Sequence, residues 1–448
     1  MIQLLLAAPS SGSGKTMMTC ALLRALQKRG MKPCAFKCGP DYIDPMFHRA
    51  ALGVDSCNLD LFLSDAATVR ALCVEQCQGH DAAVCEGVMG FYDGLGGVTT
   101  QASAWHLADT LKLPVILVLR PKGASLTLAA QINGIKQFRT PSHLAGILLN
   151  DCAPMLAKSL APMLERETGL PVLGCLPHMP QAVVESRHLG LWTAAEIDDI
   201  SQRLDILAQT LEENVDLARL LSLCDRPAPS SSRTQSPKPI AARIAVAQDE
   251  AFCFTYAETL TALKNAGAEL VPFSPLHDTA LPSNIGGIYL PGGYPELHAQ
   301  ALAENESMRA SIHGCVKNGL PTVAECGGAL YLGQSLEDAK DTHWPMAGVL
   351  PGEGIRQDRL VRFGYAELTV NEDSLLFRAG ESVPIHAFHY WDCTENGAAF
   401  MLTKPMTGRS WQEGFASPTL YAAFPHLYFA GHPQLAARFV QAAKEAQP

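Results

Sequence analysis

Short apolar runs alternate with stretches of helical periodicity through the first half of the chain. The runs are apolar throughout, which is typical of strands that are buried on both faces of a sheet. Between them, stretches such as Thr16–Arg29 place apolar residues at helical spacing. The helical pattern continues through Ala194–Leu223. This alternation predicts a doubly wound α/β fold with a parallel sheet. The predicted strands are Ile2–Ala8, Ala82–Glu86, Val115–Leu119, Ala145–Leu149 and Pro171–Leu176.

The alternation restarts in the second half, so that half is also predicted to be doubly wound α/β. Tyr256–Ala266 has the spacing of a helix and ends at Gly267, a residue type common just past helix C-termini. No sequence repeat relates the two halves. The predicted strands of the second half are Ile244–Ala247, Glu269–Phe273, Gly287–Leu290 and Pro321–Ala324.

Between the two halves the composition changes. Residues 225–239 read DRPAPSSSRTQSPKP, a stretch rich in Pro and Ser with almost no apolar side chains, which indicates an interdomain linker. A chain of 448 residues is also too long for a single hydrophobic core. We therefore predict one domain over residues 1–224, a linker over 225–239 and a second domain over 240–448. A long surface loop within one domain is the alternative.

Composition and charge limit the partners. The net charge of −10 disfavours sequence-independent binding to nucleic acid or to anionic membranes, because both require a basic surface. No apolar run approaches the roughly 20 residues that a membrane-spanning helix needs, and the N-terminus lacks the features of an export signal. The 14 cysteines form no CxxC pair and no zinc pattern, so we expect reduced thiols in a cytoplasmic protein. Small molecules are the expected partners.

A loop of small residues follows the first predicted strand and precedes a helix. In such a loop the backbone N–H groups approach phosphates closely, and the helix N-terminus adds a favourable dipole. Lys15 would reach the outer phosphates and the Thr16 hydroxyl would hold Mg²⁺. The strict motif has Gly where this chain has Pro9, so the match is to a relaxed form. The residues predicted to bind ATP are Gly12, Ser13, Gly14, Lys15 and Thr16.

Acidic residues follow the ends of two predicted strands of the first half. Glu86 ends a predicted strand, and Asp93 follows in a Gly-rich segment. Asp41 and Asp44 follow the second likely strand. Each alone is more often a solvated loop carboxylate, but ligands of open α/β sheets bind at the carboxyl ends of strands. Their shared position near the phosphate loop therefore predicts that they organise a Mg–ATP site.

In the second half, a predicted strand runs into Cys326, two glycines and a helix. A nucleophile on a sharp strand-to-helix turn is exposed, and the helix N-terminus stabilises the attacking thiolate. Cys326 is therefore the predicted nucleophile, with a structural thiol as the alternative.

Gly292 and Gly293 end another strand and are predicted to turn N–H groups toward a developing oxyanion. A plain Gly-Gly turn is the alternative there.

Such a nucleophile needs a base that takes the thiol proton and later protonates the leaving ammonia. Fourteen histidines compete for this role. His426, near the C-terminus, is our choice, and His386 and His389 remain alternatives on the sequence pattern alone.

Six segments together resemble the cobyrinic acid a,c-diamide synthase family over the whole chain. They are APSSGSGKT, KCGPDYIDP, EGVMGFYDG, LPGGYPE, ECGGALYL and HLYF, in the order that the family has them. The resemblance implies an N-terminal P-loop NTPase-like domain and a C-terminal class I glutamine amidotransferase-like, flavodoxin-like domain. It also implies that ATP and Mg²⁺ activate the a and c acetate side chains of a corrin as acyl phosphates, and that ammonia from L-glutamine then forms two amides. The oligomeric state is left open, with a homodimer among the candidates.

The resemblance also assigns residues. It implies Cys326 as the glutaminase nucleophile and His426 as its activating base. Related glutaminases have Glu two positions after that histidine, where this chain has Tyr428, so a Cys–His dyad is expected. The implied activation site comprises Asp41, Tyr42, Ile43, Asp44, Glu86 and Asp93. Of these, Asp44, Glu86 and Asp93 resemble organisers of Mg²⁺ and phosphate, with Thr16 as a further metal ligand, whereas Tyr42 and Ile43 resemble substrate-positioning residues.

One segment departs from the family pattern. Where the family usually reads GHEFHYS, this chain has Ala387 in place of the acid and Trp391 in place of Ser. Substrate contacts in that segment are therefore not carried over from the family.

Three rival functions share part of this pattern. An amidotransferase acting on another tetrapyrrole, either metal-free hydrogenobyrinic acid or nickel sirohydrochlorin, would carry the same motifs. CTP synthase-like enzymes usually have Gly before the cysteine and Glu after the terminal histidine, unlike Glu325 and Tyr428 here. A partitioning-type P-loop ATPase would have Lys five positions before Lys15, where this chain has Ser10, and would leave the second half unexplained.

Overall fold

The structure is a computed structural model that describes residues 1–180, 186–187, 190–191, 199–230 and 238–447. The chain divides into unit 1, Met1–Arg233, and unit 2, Thr234–Pro448. Each unit is described by itself below.

Unit 1 is built on a seven-stranded sheet in the order β3-β2-β4-β1-β5-β6-β7, in which every neighbouring pair is parallel. A separate pair, β8 and β9, is antiparallel. The strands are β1 (Ile2–Ala7), β2 (Pro33–Cys38), β3 (Ser56–Leu59), β4 (Ala82–Glu86), β5 (Val115–Leu119), β6 (Leu144–Asn150), β7 (Val172–Leu176), β8 (Ser186–Arg187) and β9 (Gly190–Leu191).

The central strand β1 explains why these runs are apolar throughout. Successive side chains of a strand point to opposite faces of its sheet. Leu4 and Leu6 accordingly pack in one hydrophobic core, while Leu5 and Ala7 pack in another on the opposite face. Helices cover both faces, as the sequence predicted. They are α1 (Lys15–Lys28), α2 (Ile43–Leu52), α3 (Ala66–Cys77), α4 (Ala104–Leu111), α5 (Leu126–Phe138), α6 (Pro154–Thr168), α7 (Ile200–Asn214) and α8 (Leu217–Cys224).

The end of unit 1 contains the predicted helical stretch Ala194–Leu223. The structure has α7 and α8 there, and residues 194–198 lie outside the described part of the chain. Asp225 forms an isolated bridge with Ile2, and the Gln3 side chain donates to the Pro227 carbonyl at 2.9 Å. These residues therefore run beside β1. Residues 231–237 of the predicted linker also lie outside the described residues, and the domain limits stay a prediction.

Unit 2 contains a six-stranded sheet in the order β11-β10-β12-β13-β21-β20, parallel except for the edge pair β20–β21. This sheet and its helices confirm the predicted doubly wound fold of the second half. Its strands are β10 (Ala242–Ala247), β11 (Ala268–Phe273), β12 (Gly287–Leu290), β13 (Thr322–Glu325), β20 (Phe415–Ser417) and β21 (Leu420–Ala423). The helices of the unit are α9 (Ala257–Asn265), α10 (Ala299–Glu304), α11 (Glu306–Lys317), α12 (Gly327–Leu332) and α13 (Pro433–Ala446).

A further, mixed sheet in unit 2 was not predicted. It has the order β15-β14-β16-β18-β19, and β17 also pairs with β16. Only short stretches of the long β16–β17 hairpin are buried, so polar residues interrupt the apolar pattern and no continuous run marks the strands. The strands are β14 (Ser335–Glu337), β15 (His343–Pro345), β16 (Glu353–Val370), β17 (Ser382–Cys393), β18 (Phe400–Thr403) and β19 (Ser410–Glu413).

Within the described ranges, no helix has the length and apolar character needed to cross a bilayer.

The C-terminal helix α13 packs directly onto the start of β12, and this contact generates a stability prediction. A Cβ atom on Gly286 would overlap the Ala443 carbonyl oxygen and lie 2.7 Å from its carbonyl carbon. Because both are backbone atoms, Gly286→Ala is expected to destabilise unit 2 by about 1–3 kcal/mol.

Gly314→Ala is the matched control, since a Cβ in that helix would meet nothing within 4 Å. The control is expected to stabilise by up to about 1 kcal/mol. Urea unfolding followed by circular dichroism measures both, and equal midpoints would contradict the packing.

Candidate active sites

The loop between β1 and α1 has the backbone that a phosphate site requires. Gly12 and Gly14 have positive φ angles of 74° and 94°, a conformation that favours glycine. A Cβ atom on Gly14 would also overlap the side-chain amide of Asn150, which donates to the Ser13 carbonyl at 3.0 Å. Helix α1 begins at Lys15, so its free N–H groups face the loop. The five predicted ATP-binding residues thus lie together on one loop.

Lys15 lies folded back over this loop. Its Nζ donates to the carbonyl oxygens of Ser10, at 3.2 Å, and of Met89, at 2.6 Å. Burial and the nearby Lys37 ammonium lower the pKa of Lys15 to about 8. The two carbonyl oxygens thus hold the Lys15 ammonium over the loop, where it could pair with a bound phosphate.

Three of the predicted carboxylates lie around a single buried cation. Lys37 Nζ pairs with Asp44, lies 2.8 Å from Glu86 Oε1 and 3.8 Å from Asp41 Oδ2. Thr16 Oγ1 donates to the same Glu86 oxygen at 2.6 Å. The predicted residues from β4, the β2–α2 connection and α1 therefore meet, as expected for side chains at the carboxyl ends of neighbouring parallel strands.

The pKa values in this cluster follow from burial and charge. Burial alone would lower the pKa of Lys37, but Asp44 and Glu86 outweigh it and raise that pKa well above its usual value. Burial raises the pKa of Glu86 to about 7 against the opposing effect of Lys37. Burial and the Asp44 carboxylate raise the pKa of Asp41 to about 6. Asp44 is also buried, yet Lys37 holds its pKa below the usual value.

The remaining predicted residues have local structural roles. Asp93 Oδ2 accepts from the Gly90 N–H at 3.0 Å and closes a turn of the Gly-rich segment. Asp41 Oδ1 accepts from the Ile43 N–H at 2.8 Å, at the start of α2. Tyr42 and Ile43 are both buried. Their predicted part in positioning a substrate stays a prediction.

A cavity of about 510 Å³ opens over the loop and the carboxylates, a size that fits a nucleotide. The lining residues that were not singled out from the sequence include Lys37, Arg120 and Asn150. Arg120 donates to the Gly12 carbonyl at 3.2 Å and pairs with Asp151. The sequence does contain a signal for Lys37, which is a lysine within a buried strand. Lysine is rarely buried there unless a carboxylate pairs with it.

The donor set around Glu86 fits Mg²⁺. Glu86 Oε2 is buried and has no hydrogen-bond partner among the described residues, and Thr16 Oγ1 adjoins the other carboxylate oxygen. Within the described residues, no group of three or more His, Cys, Asp or Glu side chains is arranged to hold a metal alone. Mg²⁺ takes one or two protein oxygens and completes its shell with phosphates and water, so the Glu86 carboxylate and the Thr16 hydroxyl form a fitting set of protein ligands. Asp44 pairs with Lys37, and its predicted part as a further ligand stays a prediction.

In unit 2, Cys326 stands on the sharp turn between β13 and α12. Its φ of 49° is positive, an uncommon backbone conformation for a residue other than glycine. The turn is fixed on both sides, since Cys326 N donates to the Ala423 carbonyl at 2.8 Å and Leu330 N donates to the Cys326 carbonyl at 3.0 Å. The predicted nucleophile therefore lies at the N-terminus of a helix, where a thiolate is stabilised.

The His426 ring lies against Cys326 and forms a hydrogen bond with its thiol. On the other side of the ring, Nδ1 lies 3.4 Å from Glu325 Oε2. Burial lowers the pKa of His426, but the contacts with Cys326 and Glu325 outweigh burial and raise the pKa to about 9. The expected Cys–His dyad thus has a buried carboxylate behind it. Tyr428, in the usual place of that carboxylate, is a buried ring packed edge-on against Tyr256.

The two histidines left open by the sequence have other contacts. The His386 carbonyl accepts from the His426 N–H at 3.0 Å, and burial lowers the pKa of the His386 ring to about 3. The His389 ring stacks on Phe424 at 4.2 Å between centroids, and burial lowers its pKa to about 4. Both rings are therefore neutral near pH 7, and His426 is the one of the three whose ring contacts Cys326.

The glycines predicted to turn toward an oxyanion lie beside these side chains. A Cβ atom on Gly292 would lie 2.6 Å from His426 Cε1 and 3.4 Å from Cys326 Cβ. A Cβ atom on Gly327 would lie 3.2 Å from Gly293 N. The Gly292–Gly293 backbone therefore approaches both the nucleophile and the start of α12, and their part as donors stays a prediction.

Two families of protein domains match the two units. The CobQ/CobB/MinD/ParA nucleotide binding domain matches residues 4–189, and the CobB/CobQ-like glutamine amidotransferase domain matches residues 243–434. The fold and the sites therefore define a glutamine amidotransferase joined to a nucleotide-binding domain.

Relatives that match nearly the whole chain identify the family within this class of glutamine amidotransferases. A cobyrinate a,c-diamide synthase of Dehalococcoides mccartyi is 35% identical over 99% of this chain and 98% of its own. Proteins of the same name are 40% identical in Salmonella typhimurium, over 98% of both chains, and 38% identical in Listeria monocytogenes, over 96% of both. The chain belongs to the cobyrinate a,c-diamide synthase family. Among solved structures, PurLQS from Thermotoga maritima is 17% identical over 46% of this chain and 98% of its own, with a TM-score of 0.33, too low to support any argument.

The buried cluster around Lys37 generates a prediction about stability and pH. Lys37→Met leaves buried carboxylates without their cation, which is expected to cost about 3–5 kcal/mol at pH 8 in the absence of nucleotide. The folded-state pKa values of Glu86 and Asp41, already about 7 and about 6, would rise further. A carboxyl whose pKa is raised by folding loses stability as pH rises through that pKa, so the cost should shrink at pH 5.

Urea unfolding of wild type and variant at both pH values tests this expectation. Lys28→Met is the matched control, because the Lys28–Asp205 pair lies at the surface at 3.1 Å and should contribute less than about 1 kcal/mol. A Lys37→Met cost that is equal at pH 5 and pH 8 would contradict the assigned charges.

Proposed function

We propose that this protein amidates the a and c acetate carboxylates of cobyrinic acid with ammonia from L-glutamine, at the expense of ATP, as a step of cobalamin biosynthesis. The observation that carries the proposal is the match, over 96–99% of this chain, to relatives named cobyrinate a,c-diamide synthase. The geometry of the two units supports it, because one has the backbone for phosphate and the other a paired nucleophile and base.

Activation of the carboxylate is assigned to unit 1. A carboxylate resists attack by ammonia because it is negatively charged and has no good leaving group. We infer that a carboxylate oxygen attacks the γ-phosphorus of ATP, which gives an acyl phosphate and ADP. Such transfers are catalysed mainly by positioning and by neutralising charge. Lys15 and Lys37, whose ammonium groups lie beside the phosphate loop, are suited to that task.

Mg²⁺, when bound with the nucleotide, would neutralise phosphate charge at this site, held by the Thr16 hydroxyl and the Glu86 carboxylate. Lys37 pairs with Glu86 and with Asp44. It therefore holds these carboxylates in place and matches their charge before a nucleotide arrives.

Ammonia production is assigned to unit 2. The Cys326 thiolate attacks the side-chain amide carbon of glutamine, and the oxyanion that forms is stabilised by N–H groups of the Gly292–Gly293 turn. The His426 imidazolium then gives its proton to the leaving nitrogen, the C–N bond of the tetrahedral intermediate breaks, and ammonia departs to leave a thioester on Cys326. Water, deprotonated by His426, hydrolyses the thioester to glutamate. Ammonia attacks the acyl phosphate, which gives the amide and phosphate.

We also propose that the enzyme works in the cytoplasm. The supporting observation is that all fourteen cysteines are free, and eleven of them are buried. Unpaired thiols are typical of a reducing compartment.

The test is a count of new amides by mass spectrometry after incubation with cobyrinic acid, ATP, Mg²⁺ and glutamine. Two amides that depend on both ATP and glutamine are expected. Parallel reactions contain metal-free hydrogenobyrinic acid or nickel sirohydrochlorin. Amidation of one of these alone would move the substrate to that tetrapyrrole, and amidation of none would contradict the proposal.

Cys326→Ala is the control that separates the two sites. It should abolish synthesis from glutamine, because the nucleophile is missing, and retain synthesis from added ammonium, because unit 1 is unchanged. Loss of both activities in a folded variant would contradict the assignment of separate sites.

A further inference from the structure

Glu325 has a carboxylate that is almost completely enclosed. It is the last residue of β13 and is only 2% exposed. Its Oε1 accepts from the Leu427 N–H at 3.1 Å, and its Oε2 accepts from the Tyr289 hydroxyl at 3.0 Å. Oε2 also lies 3.4 Å from His426 Nδ1. One carboxylate thus contacts both the ring of the base and the backbone of the residue that follows it.

We propose that Glu325 is the positioning residue of the glutaminase reaction: its carboxylate orients the His426 ring and stabilises the imidazolium that forms when Cys326 loses its proton. The inference rests on the proposed function of unit 2. Glu325 touches neither glutamine nor the thiol in this account, and it acts through His426.

Strand pairing explains how this contact arises. β13 and β21 are parallel neighbours with Glu325 opposite Ala423, and the chain continues from Ala423 through two residues to His426. The residue before the nucleophile is therefore brought to the base by the register of the sheet. The usual place for such a carboxylate, two residues after the histidine, holds Tyr428, whose ring is buried. In this chain a carboxylate approaches His426 Nδ1 from the neighbouring strand β13.

The charges around the His426 ring determine what its contact with Glu325 does chemically. His386 and His389 are the other titratable rings near His426, and burial keeps both neutral by lowering the pKa of each to about 3 and about 4. Behind Glu325, burial raises the pKa of Tyr289 well above its usual value, so that phenol is neutral too. Cys326 and Glu325 both raise the pKa of His426, so among the described residues Glu325 is an anion that compensates the imidazolium beside the Cys326 thiolate. A distance of 3.4 Å is long for a hydrogen bond, and such contacts often tighten in the reacting complex.

Orientation follows from the same contact. With Nδ1–H directed at Glu325, the other ring nitrogen, Nε2, is left for the Cys326 thiol. Without the carboxylate the ring can adopt the wrong tautomer, which in a comparable serine-protease arrangement costs about 10⁴ in turnover.

Glu325→Gln tests the proposal, because the amide keeps the size and one acceptor oxygen but loses the charge. Glutamine hydrolysis should fall at least about 100-fold in kcat with KM little changed. Ammonium-driven synthesis should stay at the wild-type rate. The rate of Cys326 alkylation by iodoacetamide should fall near pH 7 and recover only at higher pH, because the thiolate loses its imidazolium partner. A purely structural role would not shift that pH profile.

Glu413→Gln is the matched control. Glu413 is a buried glutamate of the same unit whose carboxylate contacts Trp411 and Arg362. Its replacement should leave both the alkylation profile and glutamine hydrolysis within about threefold of wild type, because Glu413 is not among the groups that shift the pKa of His426. If Glu325→Gln does not fold, Glu325→Asp carries the test. It keeps the charge but shortens the reach, so that hydrolysis should fall about tenfold.

An unchanged alkylation profile together with hydrolysis within threefold of wild type in Glu325→Gln would overturn the inference, as would wild-type hydrolysis in Glu325→Asp. These outcomes are distinct from failure of the proposed function. If the wild-type enzyme hydrolyses glutamine but amidates no tetrapyrrole, the proposed substrate is wrong and the effect of Glu325→Gln on hydrolysis still decides the role of Glu325.

Discussion

A buried carboxylate at the end of a central parallel strand must be matched by a positive partner, and the chemistry of each unit depends on that match. Glu86 ends β4 and Glu325 ends β13, and they are 1% and 2% exposed. Loss of the partner of such a charge costs several kcal/mol. In unit 1 the partner is the Lys37 ammonium, and in unit 2 it is the His426 imidazole.

The two matches serve different chemistry. Lys37 is permanently charged, so unit 1 holds its acids ready beside a loop that accepts phosphate. His426 titrates, and its pKa of about 9 lies far above that of His386, at about 3. Both rings are buried, but His426 contacts the thiol and the carboxylate. The same low-polarity surroundings therefore produce a charged imidazole where anions contact the ring and a neutral one where they do not.

Local patterns in the sequence predicted what depends on local chemistry. The apolar runs of the two parallel sheets, the loop before α1 and the turn at Cys326 were all recognisable, and the doubly wound folds are confirmed. The β16–β17 hairpin was missed because most of its residues are only partly buried or exposed and it carries no continuous apolar run. Lys37 and Glu325 were not assigned roles because their partners, Glu86 and His426, are set by strand order and register. Those partners lie 49 and 101 positions away in the chain, and strand order and register cannot be deduced from spacing alone.

The measurement that tests the central claim most directly follows oxygen through the reaction. Cobyrinic acid labelled with ¹⁸O in its carboxylates is incubated with the enzyme, ATP, Mg²⁺ and glutamine, and the phosphate released is analysed by mass spectrometry. Activation as an acyl phosphate transfers one carboxylate oxygen to phosphate for each amide formed, so one labelled phosphate per amide is expected. Unlabelled phosphate, or label recovered in AMP, would contradict the account.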